Sequence, residues 1–307
     1  MNDFDNFFRL NGDLTKPAVL ADDEEQASIS ETVPNAEYFK KYLARCYNAV
    51  LTSDKIDLNQ RSNPLGNENF RKAIASFMAR FHKVSVDPKN IVVGSGIESL
   101  IFNMLHLPAV IDPASTLRKG GLLSRAEHLQ DVVTPIAAVG EDASPATRKL
   151  FTDANMQVKE IALDDQGVSY NSLLTSGATL LYTTPQVLPE FLLEDPAERR
   201  ENILNWANEA AYRYIIEYDN NSCKKLEPLF KSLDRHDTVI YISSFSSLLC
   251  NGVSASWMVL PERVLAQYKA HFEKFPCQLS HLEQLALTLF IEKGYLDTYL
   301  ESIQPSE

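Results

Sequence analysis

The chain has 307 residues, 45% apolar and 23% charged, and its acids outnumber its bases by 41 to 29 for a formal net charge of −12. At about 100–200 residues per domain that is one large domain or two ordinary ones, with enough core to fold without disulfides or a structural metal. The acidic balance argues against a nucleic-acid surface, no apolar stretch approaches the ~18 residues of a membrane span, and the opening MNDFDNFFRL lacks the regions of a signal peptide.

Residues 1–35 are acidic and weakly patterned, including Ala21-Asp-Asp-Glu-Glu25, and read as a solvated arm. Tyr38 to Tyr47 has apolar residues at helical spacing. Beyond a turn-rich loop, Gln60 to Asn67, the helix Glu68–Phe81 places Phe70, Ile74, Phe77, Met78 and Phe81 on one face. Val84 to Val93 gives a short strand before Gly94-Ser-Gly96, and Glu98 to Leu107 reads as a helix; a strand, a glycine turn and a helix present backbone N–H groups to an anion. From residue 130 onward, strands at 132–139, 158–163, 179–183, 214–217, 238–243 and 257–260 alternate with helices at 144–155 and 196–212. This alternation predicts an α/β fold, a three-layer α/β/α sandwich around a mostly parallel sheet. Glu262 to Tyr299 reads as two helices joined near Phe275-Pro276.

The cysteines at 46, 223, 250 and 277 lack a C-x-x-C pair, which predicts reduced thiols in a cytoplasmic protein and no zinc site. Cys223 and Cys250 are expected to be packed and buried. The six histidines show no metal spacing; His236 is expected in a surface loop, and His281 and Glu283 capping or pairing at the surface. Trp206 and Trp257 read as core.

Ordered motifs narrow the fold further. Thr183-Thr-Pro-Gln-Val-Leu-Pro-Glu190 is followed by Arg199 to Ala207, Tyr214-Ile-Ile-Glu-Tyr-Asp-Asn-Asn-Ser222, Val239-Ile-Tyr-Ile-Ser-Ser-Phe-Ser-Ser247 and Ser256-Trp-Met-Val-Leu-Pro261. With Pro64 to Ala75, Ile91 to Gly96 and Leu282 to Gly294, they resemble the large domain of fold-type I pyridoxal-phosphate aminotransferases. The resemblance is closest to the aminotransferase-like domain of MocR/GntR-type regulators, and it spans roughly residues 33–300. It implies an N-terminal arm at 1–35, a large domain at 36–265 and, at 266–307, C-terminal helices that are a remnant of a truncated small domain.

The resemblance also implies which residues should hold a cofactor, and several differ. Ser247 stands where the family has the Schiff-base lysine, and a hydroxyl forms no stable imine. The nearest lysines in sequence are Lys231 and Lys269. Tyr218 replaces the acid that keeps the pyridine nitrogen protonated, Asn220 a tyrosine, and Ser254 an arginine. Asp219 should face the other side of the strand if the segment stays extended. The segment Glu141 to Ala146 lacks the family's stacking ring. Ser95, Gly96, Ser244 and Ser246 keep hydroxyls and a permissive backbone on the phosphate side, while Glu98 would repel a dianion.

These differences lead to the expectation of a catalytically inactive aminotransferase-like module with no cofactor and no metal. It would act in dimerisation or in binding a small molecule or protein, without nucleic acid or membrane as partner. The alternative is an active aminotransferase-type enzyme with a rewired site. A transcription-regulator fragment is the third reading, and residues 1–35 are too short and acidic for a winged helix-turn-helix. A homodimer is implied by the family, with Phe4, Phe7 and Phe8 of the arm reaching to a partner.

Overall fold

Most of the apolar runs assemble into one mixed sheet because they are hydrophobic on both faces, while the polar Gln157–Ile161 takes an edge. A computed structural model describes residues 36–60, 62–111, 134–164, 167–184, 196–210, 212–220, 229–250 and 252–303, all within the unit Asn35–Glu307. The arm at 1–35, with Phe4, Phe7 and Phe8, and Cys223 lie outside the described residues.

Helices α1 (Ala36–Leu51) and α2 (Glu68–Phe81) precede β1 (Ile91–Ser95), α3 (Ile97–Leu105) and the short α4 (Pro108–Ile111). Then come β2 (Ile136–Gly140), α5 (Pro145–Asp153), β3 (Gln157–Ile161), the small hairpin β4 (Leu163–Asp164) and β5 (Gly167–Val168), α6 (Tyr170–Ser176) and β6 (Leu180–Thr183). The chain continues through α7 (Pro196–Asn208), β7 (Tyr214–Asp219), α8 (Phe230–Leu233), β8 (Val239–Ser244), α9 (Phe245–Leu248) and β9 (Ala255–Val259). It closes with α10 (Glu262–Phe272), α11 (His281–Glu292) and α12 (Tyr295–Ile303). The seven-stranded sheet has the order β1-β9-β8-β7-β6-β2-β3, parallel throughout except that β9 runs antiparallel to both neighbours. This is the predicted three-layer α/β/α architecture.

The alternation of side chains along each strand sorts the core into two layers. Ile216, Ile240, Ile242 and Met258 pack with Leu100, Ile101 and Met104 of α3 on one face. Tyr241, Trp257 and Val259 pack on the other with Phe70 and Phe77 of α2 and Phe290 of α11. α11 and α12 thus share a core with α2 and the sheet.

The entry to α2 is fixed by polar groups. Asn67 caps the helix, its side chain accepting from Asn69 N and Phe70 N at 2.9 and 3.2 Å. Gly66 has φ +96°, and a Cβ there would lie 2.8 Å from Val93 Cβ, so only glycine fits. Gln284, fully buried on α11, accepts from Asn67 N at 2.6 Å and donates to Leu279 O at 2.8 Å.

Several predicted elements differ in extent, among them three with a local cause or a changed count. The strand expected over 84–93 begins only at Ile91, because Asp87 caps a 3-10 turn at Pro88–Asn90. The helix expected to reach residue 212 stops at Asn208. The two C-terminal helices are three, since Gly294 at φ +74° ends α11 and starts a new axis.

Because Gln284 satisfies two backbone groups inside the core, Gln284→Ala is expected to cost about 2–3 kcal/mol in urea unfolding. A loss below about 0.5 kcal/mol would show that the clamp contributes nothing.

Candidate functional site

The C-terminal ends of β1, β7 and β8 meet at one edge of the sheet. Register places Ser95 opposite Ala255, Ser244 opposite Ser256, and Asp219 opposite Ser243. The hydroxyls predicted from sequence therefore converge. Ser95 Oγ and Ser254 Oγ are 3.1 Å apart, and Gly96 N donates to Ser254 O at 2.7 Å. Gly96 itself sits at φ +85°, before the first turn of α3.

On the neighbouring strand Ser244 caps α9. Its Oγ lies 2.9 Å from Ser246 Oγ and accepts from Ser247 N at 3.3 Å, while Ser247 Oγ donates to Ser244 O at 2.8 Å. Ser247 is exposed. Tyr218 is half-buried, with its hydroxyl bonded to Ser244; burial raises its pKa, nearby Glu98 adds to this, and the Ser244 bond opposes it. Asn220, just past β7, and Ser254 are exposed. Ser95, Gly96 and Ser254 thus form one group and Tyr218, Ser244, Ser246 and Ser247 an adjoining one.

The opposite face of the sheet carries a second polar cluster that the motifs did not reveal. β7 stays extended to its end, so Asp219 faces away from Tyr218, as expected. Its Oδ2 accepts from Tyr241 OH at 2.8 Å and lies 3.7 Å from His82 Nδ1, and Ser243 Oγ donates to Asp219 O at 3.0 Å. Two residues earlier, the buried Glu217 accepts from Phe230 N at 2.7 Å and Lys231 N at 2.9 Å. Burial pushes the Glu217 carboxyl up to about 8 against the pull of those two bonds. An acid inside an otherwise apolar strand was the available signal.

Other expectations are settled by their neighbours. Lys231 Nζ is held by Asp234 at 3.2 Å and by Val239 O at 3.0 Å, at the far end of β8 from Ser247. Cys250, expected to be buried, is exposed because it follows the short α9 at the sheet edge; Cys46 and Cys277 are buried. Burial pushes the Cys46 thiol up to about 11. His281 and Glu283 are half-buried rather than at the surface: Glu283 accepts N–H bonds from Ala255 and Ser254, and burial raises its pKa. His236 is exposed, and Trp206 and Trp257 are buried, as predicted. Among the described residues no group of three or more His, Cys, Asp or Glu could hold a metal ion. Among the same residues no helix is long and apolar enough to cross a membrane.

A mostly parallel seven-stranded sheet whose polar strand ends meet a glycine turn defines the class: this is the fold of the large domain of fold-type I aminotransferases. An archaeal alanine:glyoxylate aminotransferase superposes with TM-score 0.68 at 18% identity, over 87% of this chain and 63% of its own. A Pyrococcus horikoshii kynurenine aminotransferase, solved with PMP, its substrate and its product, gives 0.67 at 18% identity over 92% and 71%. At these identities the likeness establishes the fold.

In sequence the chain is similar to regulators. The uncharacterized HTH-type transcriptional regulator YdeL of Bacillus subtilis is 26% identical over 246 residues, 78% of this chain and 47% of that protein. The HTH-type transcriptional regulator TauR of Rhodobacter capsulatus is 26% identical over 168 residues, 52% of this chain and 34% of that protein. The chain spans about half the length, or less, of the curated relatives it matches. No family model matches it.

These neighbours correct the expectation of a fold without cofactor. The solved structures sharing the fold are aminotransferases, one of them holding PMP, so the fold points to pyridoxal phosphate. On the side where that group's phosphate would lie, Ser95, Ser244 and Ser246 offer hydroxyls, but the Glu98 carboxylate stands 3.5 Å from where a Cβ on Gly96 would lie and acts on Tyr218, a negative charge on the same side. At the other end, residue 247 offers a hydroxyl and no amine.

Ser244 holds this edge through the α9 cap, so Ser244→Ala is expected to lower stability by about 1 kcal/mol in denaturant unfolding. An unchanged midpoint would show that the cap is idle. Exposure also predicts that an alkylating reagent labels Cys250 at least about tenfold faster than Cys46 or Cys277, read by peptide mapping. Equal rates would contradict the assigned positions.

Proposed function

We propose that this chain is an aminotransferase-fold binding module of the regulator type, in which the strand-end pocket receives pyridoxal phosphate, or a related phosphorylated ring, without turning it over. The observation that carries this is Ser247: α9 presents a hydroxyl bonded to Ser244 O at 2.8 Å where covalent attachment needs an amine. Tyr218 supports the same reading. A phenol whose pKa is raised by burial is a poor counter-ion for a pyridinium, and Asp219 is turned to the other face.

The regulator relatives favour a sensing role over metabolic turnover. On this reading 36–265 is the large domain, and the helices of 266–303 pack onto it. On the same reading the module works as a cytoplasmic homodimer.

Pyridoxal phosphate titrated near stoichiometry tests the proposal. Equilibrium dialysis is expected to give saturable binding of about one ligand per chain. Borohydride is expected to trap no single lysine in peptide maps. A stoichiometric adduct on one lysine would contradict the proposal and favour the rewired-enzyme reading.

A further inference from the structure

The end of β7 carries neighbours that look opposite ways. Tyr218 lies on the serine side and Asn220 is exposed just past the strand, while Asp219 between them is fully buried. Its carboxylate faces His82, whose side chain is 8% exposed, and takes the Tyr241 hydroxyl at 2.8 Å. His82 ends α2, its N–H bonded to Met78 O, and its ring stands edge-on to Phe77 and beside Tyr241. The other ring nitrogen, Nε2, is buried without a hydrogen-bond partner. One cluster therefore joins α2, β7 and β8 directly behind the proposed ligand pocket.

We propose that His82, Asp219 and Tyr241 form a proton-sensitive brace: the charge on His82 sets how Asp219 is held, and thereby where Tyr218 and Asn220 stand in the pocket. This rests on the ligand-pocket reading above and adds its regulation. While His82 is neutral, Asp219 leans on the Tyr241 hydroxyl. A proton on His82 places a cation 3.7 Å from the carboxylate, in surroundings that screen little, and draws it off Tyr241. Asp219 is the last residue of β7, so movement there reaches both pocket neighbours through single peptide units.

Other charges near the cluster are engaged elsewhere. Glu217, on the same face of β7, is tied to the Phe230 and Lys231 amides. On α2, Arg80 pairs with Asp297 of α12 at 3.0 Å, and Lys83 donates to Arg80 O at 2.9 Å. Asp219 is the charge that faces His82 among the described residues.

Burial lowers the His82 pKa, with Asp219 opposing it. As pH falls, the unfolded chain therefore takes up this proton before the folded one. The neutral ring's contribution to stability is complete above the ordinary histidine range and declines as pH drops through it.

The full chain is titrated by NMR between about pH 8 and about pH 5, with labelled histidine and tyrosine rings. The Tyr218 signal is expected to move with the same midpoint as His82, and to lose that step in His82→Gln. Tyr241→Phe, which leaves Asp219 to His82, is expected to raise the His82 midpoint. A Tyr218 signal indifferent to His82, or a midpoint unmoved by Tyr241→Phe, would overturn the brace. The pyridoxal-phosphate Kd is expected to change at least about fivefold more across this range in the wild type than in His82→Gln. Identical pH dependence in the two proteins would overturn the regulation. Absence of pyridoxal-phosphate binding at every pH would instead overturn the ligand reading and, with it, this regulation, while the NMR arm still decides the brace.

Discussion

The pairing register of β7 with β8 is the constraint on which the site depends. With Tyr218 opposite Ile242 and Asp219 opposite Ser243, the strand sends a phenol to the pocket side and a carboxylate to the α2 side. A slip by one residue would exchange them, placing an acid at the ring position and a bulky phenol in the core. The register is held from behind: Tyr241 and Ser243 of β8 both bond Asp219, one at its carboxylate and one at its carbonyl. The same interactions that fix the fold thus define what the pocket can offer a ligand.

The strand-end chemistry follows from that arrangement. Serines at 95, 244, 246 and 254 give a polar edge beside the glycine turn at Gly96. Glu98, exposed in the first turn of α3, sets a limit on how much negative charge the edge tolerates. Covalent chemistry would need an amine beside it, and Lys231 is anchored at the other end of β8 by Asp234 and Val239 O.

Much of the fold was legible because its strands are apolar runs of β-branched residues separated by amphipathic stretches, as in Val239 to Ile242. The serine group was legible through ordered motifs, and the strand period already put Asp219 opposite Tyr218. The His82 cluster was not, because its members lie far apart in sequence and only tertiary packing joins a helix cap to a strand end. Gln284 escaped for the same reason: nothing local marks a helical glutamine as the partner of Asn67. The exposure of Cys250 ran against the usual burial of cysteine, since a four-residue helix at the sheet edge leaves it uncovered. The expectation of an absent cofactor rested on substitutions read one by one, and the aminotransferase structures that share the fold run against it.

The central claim is that position 247 lies beside the ring of a bound pyridoxal phosphate and offers it a hydroxyl instead of an amine. Ser247→Lys tests it most directly, with borohydride reduction and peptide mapping after addition of stoichiometric ligand. The account predicts that the variant is trapped at position 247 while the wild type is trapped at no single site. A variant that binds the ligand yet is never trapped at position 247 would contradict it.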